Sequence, residues 1–370
     1  MRKPTNPLIY AAICLMATIS LALLFHSCRK QEVAPREEEI IIPTNTPSVQ
    51  RHGQLSVSGN KIIGEHGGYV QLQGMSLFWS QWSDGAPFYN KEIVKYLRDE
   101  WRCTVVRAAM AVEYGGYLTN PEREKEKVKT IIDAAIENDI YVIVDWHDHN
   151  AHDPTNTEAA KEFFAEIAQE YGHYPHIIYE PYNEPLDVSW SATCKPYFEE
   201  IIEVIRKYDK NNIIACGTPL WSQRVDQAAM DPLDDPNVAY VLHYYAGTHR
   251  NRVMQYARDA LRLGVALMVT EYGTVNADGD GSVSEAWSQN WWTFMNENHI
   301  SGCNWSITDK NEGSAALKRA PNPDGGGTVR PDPTGGWEDY QITESGHLVK
   351  AYLRSRNPVP EENTDKESED

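Results

Sequence analysis

The chain has 370 residues, with 34 basic against 53 acidic side chains and a net charge of −19, which argues against a nucleic-acid or anionic-membrane partner held by a basic face. Hydrophobic residues make up 41% and charged residues 24%, which excludes a wholly disordered or collagen-like chain. Eleven Trp and 20 Tyr against 7 Phe favour flat rings with a polar edge, a composition suited to hydroxylated ligands such as sugars.

Residues 1–28 carry Arg2 and Lys3, an apolar run from Leu8 to Phe25, and then Ser27 before Cys28. This is a secretory signal layout, and the small residue before a cysteine predicts a lipoprotein type in which Cys28 becomes the lipidated N-terminus. An uncleaved anchor and ordinary cleavage with release stay open, because Phe25 and His26 stand where aliphatic and small residues are usual. Each route places the mature chain outside the cytoplasm. Residues 29–52 read as a flexible linker with Pro35, Pro43 and Pro47, and residues 357–370 as a disordered acidic tail. The folded unit is then 53–356.

Eight short apolar runs within it read as buried parallel strands: Val70–Gly74, Thr104–Ala108, Tyr141–Asp145, Ile177–Tyr179, Asn212–Cys216, Val238–His243, Ala266–Glu271 and Gly302–Ile307. Segments of helical period separate most of them, at Glu92–Trp101, Glu124–Asn138, Glu158–Tyr171, Tyr197–Tyr208, Arg252–Leu263 and Ser284–Glu297. The alternation predicts a single (β/α)8 barrel of the α/β class. A doubly wound sheet is the competitor, but no GxGxxG follows the first strand. Cys103, Cys194, Cys216 and Cys303 show no metal-ligand spacing; a disulfide is open in an oxidising compartment, but buried free thiols are expected.

In such a barrel, chemistry belongs at the C-terminal strand ends, which here supply Arg107, His147, Asn183, Glu184, His243, Tyr245, Glu271 and Trp305. Two glutamates brought to one mouth would form the carboxylate pair used in glycoside hydrolysis. A metal site from His147, His149 and His152 with nearby carboxylates, or a non-catalytic glycan-binding lipoprotein, are competing readings.

The runs YEPYNEP (Tyr179–Pro185), DWH (Asp145–His147), RAAM (Arg107–Met110), HYYAGTH (His243–His249), TEYGT (Thr270–Thr274) and NWSITDKNE (Asn304–Glu312) resemble glycoside hydrolase family 5. With the GQLSV segment at Gly53–Val57, they are most similar to its bacterial endoglucanases. The resemblance implies a retaining endo-β-1,4-glucanase with Glu184 as acid/base and Glu271 as nucleophile, acting on cellulose or related β-glucans. It implies sugar or nucleophile contacts from Arg107, His147, Asn183, His243, Tyr245, Trp305, Trp82, Lys310 and Glu312, with Trp79 competing for the role of Trp82. No metal or cofactor is implied, and a monomer is expected. Arg107 and Tyr245 should keep Glu271 ionised while Glu184, in a more apolar setting, holds its proton. Glu113, Tyr114, Asp148 and His149 read as solvated loop residues. Phe78 and Ala111 depart from the family's His and Tyr, a loss that Tyr114 or Tyr117 could repair; Pro181, Tyr182 and Tyr272 depart as well. Mannan, xylan, xyloglucan and mixed-linkage glucan stay open as substrates.

Overall fold

The computed structural model describes residues 46–322, 325–357 and 359. The expected signal segment and Cys28, most of the linker, and nearly all of the acidic tail lie outside them.

Two short strands open the fold, β1 (Ser56–Ser58) and β2 (Lys61–Ile63), paired antiparallel. Eight parallel strands then close into a barrel: β3 (Gln73–Leu77), β4 (Val105–Ala111), β5 (Tyr141–His147), β6 (Ile177–Glu180), β7 (Ile214–Cys216), β8 (Val238–Tyr245), β9 (Leu267–Gly273) and β10 (Ser301–Ile307). The ring shuts where β10 pairs with β3. The expected (β/α)8 architecture is therefore the one observed, and closure rules out the open doubly wound sheet. All six predicted helices form, at Lys91–Trp101, Pro121–Glu137, Pro154–Tyr171, Lys195–Arg206, Asn251–Arg262 and Glu285–Asn298. Local signals fix several starts: the Asn90 side chain accepts the Ile93 N–H at 2.9 Å, and prolines occupy the first turns at Pro121, Pro154 and Pro196. A further helix, Glu344–Arg356, is capped by Thr343 and was not anticipated.

Side-chain alternation along the strands builds the interior in layers. Val105, Ile143, Ile178, Val241 and Met268 form a dry lower layer with Tyr141, Ala215 and Cys303. The hairpin and its flanks stopper this layer from below with Leu55, Ile62, Val70 and Leu72. Two residues further along the same strands stand Arg107, Asp145, Glu180 and His243, so the layer above the hydrocarbon is charged. Helices cover the outer faces through a continuous cluster that includes Trp101, Trp146, Phe163 and Trp291. Cys103, Cys194, Cys216 and Cys303 are buried free thiols.

The linker boundary needs correction. Ser48–His52 is helical, Val49 is buried, and its N–H bonds the Asp139 carbonyl at 3.2 Å. Val49 belongs to the apolar stopper, which is why this stretch is ordered. At the other end, the Asn357 side chain donates to the carbonyls of Gln73 and Arg102, so the fold reaches one residue into the expected tail.

Gly74 shows how tightly the barrel is drawn. A Cβ there would lie 1.7 Å from the Val105 carbonyl oxygen of the neighbouring strand. Gly74→Ala must therefore spread β3 from β4 and should lower unfolding free energy by about 2–3 kcal/mol, the upper range for overpacking; urea denaturation measures it, and an unchanged midpoint would refute the close approach.

Candidate active site

Arg107 on β4 is fully buried beneath the C-terminal mouth. Its Nε and Nη2 hold both oxygens of Glu180 on β6 at 2.8 and 3.0 Å, its Nη2 lies 2.9 Å from Asp145 on β5, and its Nη1 donates to Glu271 on β9 at 3.0 Å. Its Nη2 also donates to Asn183 Oδ1 at 2.6 Å, which leaves the amide nitrogen of Asn183 as the end free to donate. The second Glu271 oxygen accepts the Tyr245 hydroxyl at 2.8 Å. That contact depends on Gly273, where a Cβ would come within 2.1 Å of the Tyr245 ring.

Glu184 follows β6 and faces Glu271 across a cleft of about 340 Å³ lined also by Trp221, Gln223, His243, Tyr245, His249 and Ala277. Its partners are imidazoles: His243 Nδ1 at 2.9 Å from one oxygen and His149 Nε2 at 3.2 Å from the other. One atom each of Glu184, Glu271 and His243 lie within 4.8 Å of one another. Because His243 Nδ1 is committed to Glu184, and Glu271 to Arg107 and Tyr245, this trio is an acid–base cluster and not a cation cage. The three histidines of the metal reading do not converge: His147 Nδ1 bonds Asp145, His149 bonds Glu184 and His152 bonds the Tyr182 hydroxyl.

The remaining predicted residues divide. Trp305 on β10 is buried, stacked on His147 at 5.1 Å between ring centres and set against Phe78. Trp82 is 47% exposed, whereas Trp79 meets the His147 ring edge-on at 4.2 Å, so Trp79 holds the position nearer the charged layer. Lys310 and Glu312 pair with each other and line a neighbouring pocket with Asp84, Asp309 and Arg319, outside the cleft that holds the two glutamates. Tyr117 packs on Trp146 and Phe163 and Tyr114 points to solvent, so neither supplies polar groups in place of those lost at Phe78 and Ala111; Lys310 instead sits over the Phe78 ring.

Asp148 and His149 are not solvated loop residues. Asp148 is buried, accepting from the Asn150 N–H and Asn156 Nδ2, and its carbonyl accepts the Glu184 N–H, so the loop after β5 shapes the loop after β6. Trp221 was also missed. It is 44% exposed at the cleft, with Leu220, Trp221 and Ser222 all at positive φ. Three successive non-glycine residues in that region cost roughly 1–2 kcal/mol each, so tertiary contacts hold the turn: the Leu220 and Trp221 N–H groups donate to the Leu186 and Pro185 carbonyls.

Electrostatics correct one expectation. Burial raises the Glu184 carboxyl, but hydrogen bonds from His149 and His243 outweigh it and hold the group well below the usual carboxylate range. Burial lifts Glu271 above its ordinary value, helped by the charge of Glu184 and opposed by His243, Arg107 and Tyr245. The sense is opposite to a protonated Glu184 beside an ionised Glu271, because two imidazoles, not apolar groups, surround Glu184. Burial works against charge on His243, yet Glu180 and Glu184 lift it to about 9. Burial drives Asp145 well above its ordinary value and, together with the Arg107 charge, drives His147 well below its own.

A raised histidine contributes stability that is full below its unfolded value near 6.5 and is lost as pH rises through about 9. Imidazole NMR should find His243 still protonated at pH 8, and Glu184→Gln should lower its titration point. A ring neutral at pH 7 would overturn this charge assignment.

Residues 63–311 match the family model described as cellulase, glycosyl hydrolase family 5. Endoglucanase Z of Dickeya dadantii is 48% identical over 305 residues, covering 81% of this chain and 66% of that one. Cellulase CelDZ1 of a Thermoanaerobacterium species is 39% identical, covering 81% and 80%. The chain spans 58–66% of the length of the first three curated relatives. Among solved structures, a protein from Cytophaga hutchinsonii is 49% identical with a TM-score of 0.79, covering 84% of this chain and 98% of that one. The catalytic domain of Thermobifida fusca endoglucanase Cel5A is 32% identical with a TM-score of 0.76, covering 84% and 99%. With family model, sequence and barrel in agreement over most of its folded length, the chain belongs to the cellulase family, glycosyl hydrolase family 5.

Proposed function

We propose that the protein is an endo-acting, retaining β-1,4-glucanase with Glu184 as acid/base and Glu271 as nucleophile. One observation carries the reading: the two carboxylates share one mouth, with an oxygen of each within 4.8 Å of the other, which favours the close pair of a retaining enzyme over the roughly 6.5–9.5 Å between carboxyl groups that leaves room for a water in inverting enzymes. Their partners support the division of roles. Glu271 is clamped by Arg107 and Tyr245, neither of which exchanges protons readily near neutrality, so its oxygen is aimed and immobile. Glu184 lies between two imidazoles, groups that give and take protons at working pH.

In the first step a Glu271 oxygen attacks the anomeric carbon as the glycosidic bond breaks, and the leaving oxygen takes a proton delivered through Glu184. The glycosyl-enzyme is then hydrolysed by a water whose proton returns through Glu184, and the second inversion restores the starting configuration. On this reading Asn183, whose Oδ1 is taken by Arg107, uses its amide nitrogen to donate to the sugar 2-hydroxyl. A β-1,4-glucan substrate is favoured by the relatives' names and by the Thermobifida fusca domain, a variant of which was solved with cellotetraose.

Assays should find reducing ends released from soluble β-1,4-glucan faster than from mannan or xylan. Glu271→Ala should abolish glycosylation for every substrate, with azide restoring turnover to an inverted product. Glu184→Ala should keep glycosylation on aryl glycosides with good leaving groups while polysaccharide cleavage falls about 10²- to 10⁴-fold, and azide should then give a retained product. The opposite pattern would exchange the roles.

We also propose export, with lipid on Cys28 and a membrane-held barrel, from the Ser27–Cys28 processing pattern alone. Fatty-acid labelling that Cys28→Ser abolishes is the expected result; membrane retention without label would point to an uncleaved anchor.

A further inference from the structure

The acid/base assignment leaves Thr270 and Glu180 without a role, although both are fully buried and directly connected to His243. His243 Nε2 lies 2.9 Å from Thr270 Oγ1, and Thr270 Oγ1 lies 2.7 Å from Glu180 Oε1. The chain of bonds has only one consistent polarity. Glu180 is held by Arg107 through both oxygens, and the guanidinium and His243 outweigh burial to keep its carboxyl below the ordinary range, so it can only accept. A hydroxyl has one proton, and that of Thr270 is spent on Glu180. The Thr270 oxygen must then accept, which requires His243 to keep a proton on Nε2 in each of its charge states. The Nδ1 atom, 2.9 Å from Glu184 Oε1, is left as the only position on the ring that can gain or lose one.

We infer that Thr270 is a positioning residue for proton transfer: by donating to Glu180 it fixes the tautomer of His243, so that the proton given to the leaving group is held jointly by His243 Nδ1 and Glu184. The inference rests on the acid/base reading of Glu184 and deepens it. In the first step the leaving oxygen gains one proton as its bond to the anomeric carbon breaks, and the His243–Glu184 pair is left one proton poorer. A bare Nδ1 lone pair then faces a carboxylate at hydrogen-bond distance, an arrangement that water relieves by surrendering its proton as it attacks the glycosyl-enzyme. Without the Thr270 hydroxyl, neutral His243 could place its proton on Nδ1 and satisfy Glu184 without accepting one, and the drive would be lost.

The test compares aryl cellobiosides that differ only in leaving group. For Thr270→Val, kcat/KM on a phenyl glycoside should fall about 10- to 100-fold while that on a dinitrophenyl glycoside changes less than about threefold, since only the former needs the acid that is worth 10²–10⁴. Thr270→Ser should restore most of the loss. An equal loss on both substrates would mean that Thr270 merely supports the neighbouring Glu271 or the barrel, and overturns the proposal, as does no loss at all. A second measurement needs no variant: imidazole nitrogen shifts of the unmutated protein, taken above the titration of His243, should show the proton on Nε2, and a proton on Nδ1 overturns it. An unmutated protein that cleaves neither glycoside overturns the acid/base reading itself.

Discussion

One guanidinium organises the mouth of this barrel. Arg107 is sealed from water and shared among Asp145, Glu180 and Glu271, with Asn183 as a fourth partner. A buried charge is tolerable only when paired, and removing one partner of such a pair costs about 3–5 kcal/mol, so these strands are locked to one another by charge as well as by backbone ladders. A single cation cannot neutralise three carboxylates with Glu184 close by. The excess negative charge is what lifts His243 into its imidazolium form, and it adds to the burial that drives Asp145 toward its protonated form. Burial and that imbalance together set the protonation pattern of the site.

The imbalance is sustained because the layer below is dry. Val105, Ile143, Ile178, Val241 and Met268 point into the barrel one alternation beneath the charged groups, and the hairpin with Val49 closes the far end. The period of two that makes these segments strands therefore also sets hydrocarbon directly under charge. Small residues are placed where backbone or rings must approach: Gly74 brings β3 against β4, and Gly273 admits the Tyr245 ring so that its hydroxyl reaches Glu271.

Much of this was legible in the sequence, and the gaps have physical reasons. All eight barrel strands and six helices announced themselves by apolar run or period, although β3 begins three residues later than its apolar run, which continues from the stopper residues Val70 and Leu72. Glu184 and Glu271 were visible because strand ends were read for polar groups. Asp145, Glu180 and Thr270 were not assigned roles, since within a strand a polar residue looks like any other inward position until its neighbour across the barrel is known. His149 was misjudged because its partner lies 35 residues away on another loop. Trp221 sits in a left-handed turn whose residues carry no glycine signal, so only tertiary contacts reveal it. The short hairpin strands, three residues each, fall below what periodicity can detect.

The two glutamates differ less in burial than in the kind of group that touches them. Both belong to the mouth, and both lose solvation there. The contacts of Glu271 come from strand residues Arg107 and Tyr245, donors whose protons stay in place and whose positions are set by the barrel ladder. The contacts of Glu184 are imidazoles, one from strand β8 and one from the loop after β5, and the strand histidine leads on to Thr270, Glu180 and back to Arg107. A carboxylate with fixed donors is suited to forming a bond to carbon, and one with titrating donors to moving a proton. Both environments descend from the same guanidinium, reached directly in one case and through a threonine and a histidine in the other, so a single buried cation gives two chemically alike side chains different surroundings, and these are what the proposed roles rest on.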